Sequence, residues 1–305
     1  MIRPLLACLA ATALWASPAA AVEPFPAGFE TREMAAGEAT LHVRIGGSGA
    51  VVVLLHGFGD TGDMWAPLAA KLARDHRVIV PDLRGMGLSS PARDGYAKAL
   101  QAADLARVLD QLGIGDFQLV THDIGNMVGY ALAAQNRTRV RAWVVMDAPL
   151  PGLGHWDAQY RNPKTWHFNF RGPDVERLVA GRERILLDRF YNDMSFDPAG
   201  IDEATRAHYA ALYARPQAIH DAFEQFAAFE GDAKDNQAFV AQGKLTLPVL
   251  AIGGEASYGG SLAAEIGFAA EHVDSAVIPH AGHWLMEEQP AATVAAITAF
   301  LAAHG

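Results

Sequence analysis

The stretch Thr121-His122-Asp123-Ile124-Gly125 constrains this chain more than any other. It follows Phe117-Gln118-Leu119-Val120, an apolar run that reads as a buried strand, and precedes Asn126 to Ala134, which reads as a helix. Small, any, nucleophile, any, small between a strand and a helix describes a turn too tight for large flanking side chains, and it lifts the middle residue into the open. That residue is usually serine; here it is Asp123. A carboxylate that attacks saturated carbon forms an alkyl ester, which points to epoxide or carbon–halogen chemistry rather than ordinary ester hydrolysis. Asp123 could instead be a helix N-cap, but a cap would not require the small flanks.

The surrounding pattern sets the fold class. Ala50 to Leu55 and Arg77 to Val80 are continuous apolar runs, as expected of strands buried on both faces of a parallel sheet. Trp65 to Leu72 can form a helix, Ala97 to Leu112 is amphipathic, and Ala142 to Met146 reads as another strand. This alternation implies an α/β protein with a doubly wound, mostly parallel sheet. The rhythm breaks at Pro149. Residues 150–243 read as helical and aromatic-rich, strands resume at Leu247 to Ile252 and Ser275 to Ile278, and a helix closes the chain from Ala291 to Ala303. The expected organisation is a core of 22–149 and 244–305 with a helical cap, 150–243, inserted into it. Ligands of open α/β sheets sit beyond the carboxyl ends of the strands, and a cap there would exclude water.

Residues 1–21 read as a secretory signal peptide: Arg3, an apolar Leu5 to Leu14, and Ala19-Ala20-Ala21 as a cleavage site. A periplasmic or secreted protein is therefore expected, with no membrane association after cleavage. Cleavage would remove Cys8, the only cysteine, so no disulfide is expected. It would also remove Arg3, the one charged residue of that stretch, moving the formal charge from −10 to −11. An acidic chain without a basic cluster is a poor nucleic-acid binder. The sequence is compatible with a homodimer.

Four separated motifs carry a resemblance to the α/β-hydrolase family over nearly the whole mature chain: His56-Gly57-Phe58, Asp82-x-Arg84-Gly85-x-Gly87-x-Ser89, the turn at Asp123, and His280-Ala281-Gly282-His283-Trp284. The resemblance implies an α/β-hydrolase fold with Asp123 as nucleophile and His283 as the base that activates water. Backbone N–H groups of Ile124 and Phe58 would hold the oxyanion. His280 is expected at the rim, and Arg84 to be structural. The acid partner of His283 is expected at Asp147, with Glu255 as the second candidate, because Ser257 stands where the family often has aspartate.

Within that family the chain resembles the secreted bacterial Cif-type epoxide hydrolases, through the Asp123 turn, Met146-Asp147-Ala148-Pro149, Trp166-His167-Phe168 and Gly282-His283-Trp284. The resemblance implies that His167 assists the epoxide oxygen. The tyrosine expected to share that task falls on Phe226, which has no hydroxyl, leaving Tyr191, Tyr209 and Tyr213 as candidate donors. A small apolar or amphipathic substrate is expected, in a pocket formed with His56, Trp166, Phe168, Phe226 and Trp284. Trp156, Phe170 and Phe229 are further aromatic residues of the cap. A haloalkane or haloacid dehalogenase using the same ester, or a catalytically reduced binding protein, are the alternatives. The absence of any Gly-x-Ser-x-Gly speaks against a serine esterase. No cofactor is implied, and the histidines do not show metal-ligand spacing.

Overall fold

A computed structural model describes residues 24–93 and 95–304. The expected signal peptide, 1–21, lies outside them. The strands are β1 (Glu30–Ala36), β2 (Ala39–Gly47), β3 (Ala50–Leu55), β4 (His76–Pro81), β5 (Phe117–His122), β6 (Val140–Met146), β7 (Leu245–Gly254) and β8 (Ala270–Ile278). They form one sheet in the order β1-β2-β4-β3-β5-β6-β7-β8. All neighbours from β4 to β8 run parallel; β2 alone runs against them, between β1 and β4.

The apolar runs serve both faces of this sheet. Val53, Leu55, Leu119 and Val145 point into one core, with the helices Lys98–Gln111 and Ile124–Gln135. Val52, Leu54, Val120 and Val144 point into the other, with Ala66–Leu72 and Pro290–Ala303. Alternate residues of a strand face opposite sides, so a strand covered twice is mostly apolar, and the polar residues it buries, Gln118, Thr121 and His122 of β5, are hydrogen-bonded. The hairpin β1–β2 lacked that signal. β2 buries His42 and Arg44: the His42 ring nitrogen Nδ1 lies 2.5 Å from Glu33 Oε1 on β1, and Arg44 donates to Asp82, on the loop after β4, at 2.9 Å.

Between β6 and β7 the described chain is helical, the longest helices being Glu183–Met194, Glu203–Tyr213, Ala218–Ala227 and Phe229–Ala241. A buried ion pair joins this insert to the core. Lys98 Nζ lies 3.1 Å from Asp232 Oδ2 and 5.0 Å from the Phe229 ring centroid, while the Lys98 backbone N–H donates to Asp232 Oδ1 at 2.8 Å. Removing one member of a buried pair strands the other charge. Lys98→Met is therefore expected to cost about 3–5 kcal/mol in chemical denaturation, and the double variant with Asp232→Leu to recover much of that loss.

Candidate active site

The site is assembled from the carboxyl ends of β3, β5, β6 and the loop after β8. Asp123 directly follows β5 at φ 50°, ψ −119°, a sparsely populated positive-φ conformation that costs a non-glycine residue about 1–3 kcal/mol. The next residue starts the helix Ile124–Gln135, yet the Asp123 side chain makes no capping bond. It turns instead to the loop after β3, where the Phe58 N–H donates to Oδ1 at 2.9 Å. The small neighbours are obligatory. A Cβ on Gly57 would lie 2.4 Å from the Asp123 Cβ, and one on Gly125 would lie 2.4 Å from the Leu55 carbonyl oxygen. Asn126, which sequence reasoning passed over, fixes the start of the helix: its Nδ2 donates to the carbonyls of Met146 at 2.7 Å and Ala148 at 3.0 Å.

His283 comes from the opposite side. Its Nε2 stands 3.7 Å from Asp123 Oδ2, and its Nδ1 is 2.9 Å from Asp147 Oδ2. Asp147 directly follows β6, at φ 49°, and is fully buried. Its Oδ1 accepts from the backbone N–H groups of Gly254 at 2.9 Å and Tyr258 at 3.3 Å, so β7 aims this carboxylate. Glu255 points elsewhere, accepting from the His280 N–H at 2.7 Å. His280 itself is exposed. The His283 N–H donates to the Met194 carbonyl at 2.8 Å, which ties the histidine loop to the insert.

Electrostatics couple Asp123 and His283. Burial alone would lower the His283 pKa, but the hydrogen bond to Asp147 and the charges of Asp123 and Asp147 raise it to about 9. Burial alone would raise the Asp123 carboxyl; the His283 charge and the amides of Phe58 and Ile124 bring it below its ordinary range. The resting pair is thus carboxylate and imidazolium.

The aromatic residues divide into a wall and a backing. His167 is buried in a ring of aromatics, 4.9 Å from Phe190 and 5.4 Å from Phe226 between centroids. Phe58 packs against the same two rings, each at 4.9 Å. Phe190 was not foreseen; its helix carries an ordinary amphipathic pattern, and no motif marks it. Burial lowers His167 to about 4 despite the Asp123 charge, so it is neutral at pH 7. Trp166 stacks on Phe190 at 5.5 Å, and Phe168 stacks on Trp156 at 5.6 Å inside the insert.

Two expected pocket residues do not face it. His56 is fully buried with both nitrogens engaged: Nδ1 lies 2.9 Å from the Gly57 carbonyl and Nε2 accepts from the Leu83 N–H at 2.9 Å. It locks the loop after β3 to the loop after β4. Trp284 is 1% exposed and packs behind His283 against Tyr191, at 4.9 Å. The three tyrosines considered as donors are also engaged elsewhere. Tyr191 donates to the Gly59 carbonyl at 2.7 Å, Tyr213 accepts from the Gly59 N–H at 2.7 Å, and Tyr209 donates to Glu287 at 3.2 Å. Two of them thereby clamp the loop that presents the Phe58 amide. Arg84 is structural, pairing with Asp104 and donating to the Gly95 carbonyl at 2.7 Å.

Comparison with known proteins places the fold and the family. Residues 52–297 match the Alpha/beta hydrolase family. A soluble epoxide hydrolase of Corynebacterium sp. (strain C12) is 30% identical over 258 residues, 82% of this chain and 89% of that protein. A fluoroacetate dehalogenase of Burkholderia sp. is 30% identical over 207 residues, 63% of this chain and 67% of that protein. Among solved structures, the Cif epoxide hydrolase of Acinetobacter nosocomialis superimposes with a TM-score of 0.85 at 26% identity, covering 92% of this chain and 91% of that one.

Proposed function

Because the chain belongs to the Alpha/beta hydrolase family and is a hydrolase of the epoxide hydrolase and dehalogenase type, we propose that it opens apolar epoxides to vicinal diols through an ester on Asp123. The observation that carries this reading is the Asp123 carboxylate, held ionised at a strained turn, with His283 Nε2 3.7 Å away and Asp147 behind it.

In the first step an Asp123 oxygen attacks an epoxide carbon and the ring C–O bond breaks. The departing oxygen takes a hydrogen bond from His167, and the alkoxide then receives, through water, the proton that the His283 imidazolium gives up. Neutral His167 is a single donor, which suits substrates whose ring strain assists departure. In the second step His283 removes a proton from water, and the hydroxide adds to the ester carbonyl. The oxyanion receives hydrogen bonds from Phe58 and Ile124, and collapse releases the diol and the Asp123 carboxylate.

The first step prepares the second. Forming the ester cancels the Asp123 charge that helps raise His283, so the imidazolium loses a proton more readily and becomes a base. Ester formation is therefore expected to be flat between pH 6.5 and about 9, while ester hydrolysis, which needs neutral His283, falls towards acid within or below that window. Stopped-flow single turnovers at several pH values separate the two rates; parallel profiles would contradict the assignment.

The aromatic ring around His167 favours an apolar substrate over a haloacid anion. Lys98, the lysine whose field reaches Asp123, is engaged by Asp232. Incubation with apolar epoxides and with fluoroacetate decides between the two: diol formation is expected, and halide release without diol would establish the dehalogenase instead.

A further inference from the structure

Behind His283 lies a buried polar cluster that the two-step reaction does not use. Asp60, on the turn after β3, is fully buried, and neither of its oxygens receives an N–H or O–H from the described residues. Its Oδ2 is 3.3 Å from His122 Nδ1, which has no partner either. Glu287, on the helix Leu285–Glu288, is the carboxyl next to Asp60; its Oε1 accepts from Tyr209 at 3.2 Å, and its Oε2 is shielded and unpartnered. The other nitrogen of His122, Nε2, is 2.9 Å from the backbone carbonyl of His283, and the two rings lie 4.6 Å apart.

Donor and acceptor rules leave two arrangements, a cationic His122 donating from both nitrogens to an ionised Asp60 and the His283 carbonyl, or a neutral His122; complete burial of His122 and Asp60 disfavours the charged one. A carbonyl only accepts, so His122 Nε2 carries a hydrogen. In a neutral ring Nδ1 is then an acceptor, and an ionised carboxylate facing it would oppose two lone pairs in a dry interior. Two adjacent ionised carboxylates would repel as well. We propose that Asp60 and Glu287 are neutral carboxylic acids in a one-way hydrogen-bond chain: Tyr209 O–H to Glu287, Glu287 O–H to Asp60, Asp60 O–H to His122 Nδ1, and His122 Nε2–H to the His283 carbonyl. This arrangement gives a partner to Asp60 Oδ1 and Oδ2, to Glu287 Oε2 and to His122 Nδ1, all of which are otherwise orphaned.

The three are positioning residues. They hold the His283 backbone from behind without placing a negative charge beside its ring. The groups around them are Asp123, Asp147 and His283 on the sheet side, Tyr191 on Glu183–Met194, and Arg206 and Tyr209 on Glu203–Tyr213. Arg206 is occupied by Asp188 at 2.9 Å. Burial pushes both carboxyls well up, and burial with the His283 charge brings His122 down to about 4, in keeping with a neutral chain.

The positioning role rests on His283 being the base, but spectroscopic tests need no turnover and so separate the two readings. Infrared difference spectra at neutral pH, wild type against Asp60→Asn and against Glu287→Gln, are each expected to show the loss of one protonated-carboxyl C=O band; loss of carboxylate bands instead would overturn the proposal. In NMR titration, Asp60→Asn is expected to move the His283 midpoint by less than ~1 unit, whereas removing an ionised neighbour would lower it further and refute a neutral Asp60. With a turned-over epoxide, Asp60→Leu is expected to lose roughly tenfold in kcat and Asp60→Asn, which can still donate to Nδ1, to restore most of it. Equal losses in both variants would overturn positioning through that hydrogen bond.

Discussion

Replacing His283 with alanine is expected to stop the reaction halfway. Asp123 keeps its turn, its φ of 50° and the Phe58 amide at 2.9 Å, so it can still attack carbon. Water then meets the ester without a base. Loss of general-base assistance is worth about 10²–10⁴-fold, and the ester should outlive the assay. Mass spectrometry of His283→Ala after brief exposure to an epoxide should show the intact substrate mass added to the peptide containing Asp123. Asp123→Ala should show none. The His283→Ala experiment belongs above neutral pH, because without the imidazolium the buried Asp123 carboxyl rises towards protonation. An unmodified peptide with every epoxide that the wild type consumes would refute the covalent route.

The second large effect is expected at Asp147. Its Oδ2 holds His283 Nδ1 at 2.9 Å, and its Oδ1 is held by Gly254 and Tyr258, so its geometry is fixed from both sides. Asp147→Asn preserves the shape but removes the charge and the acceptor that orient the imidazole. Turnover should fall by about 10²–10⁴-fold, and the His283 midpoint should drop from about 9, since Asp147 is among its principal supports. Ester hydrolysis should bear most of the loss and ester formation little. Glu255→Gln should leave turnover close to wild type, because Glu255 serves the His280 backbone at the rim. A comparable loss in Glu255→Gln, with Asp147→Asn active, would reverse the assignment.

How legible these features were depended on whether their cause was local. The turn at Asp123 could be read because its requirement is local: a tight strand-to-helix turn excludes bulk at Gly125, and the sequence displays that exclusion. Strands β3 to β7 were legible because burial on two faces makes them predominantly apolar. The hairpin β1–β2 was not, since it buries Arg44, made tolerable by Asp82 38 residues away, and His42, made tolerable by Glu33 across the hairpin. His56 and Trp284 looked like pocket residues because each adjoins a motif. Motif adjacency does not reveal side-chain direction, and both point into the protein.

The sequence by itself determined the α/β class and the carboxylate at the turn, because each follows from periodicity or from steric demands within a few residues; the histidine near the C-terminus came from the family resemblance. Only the tertiary structure decided that Asp147 rather than Glu255 meets His283, that three insert tyrosines are committed to Gly59 and Glu287, and that Asp60, His122 and Glu287 share one buried polar cluster. Those outcomes rest on distances between residues remote in sequence. Such distances are set by how the sheet, the insert and the loops pack together, and no local pattern encodes them.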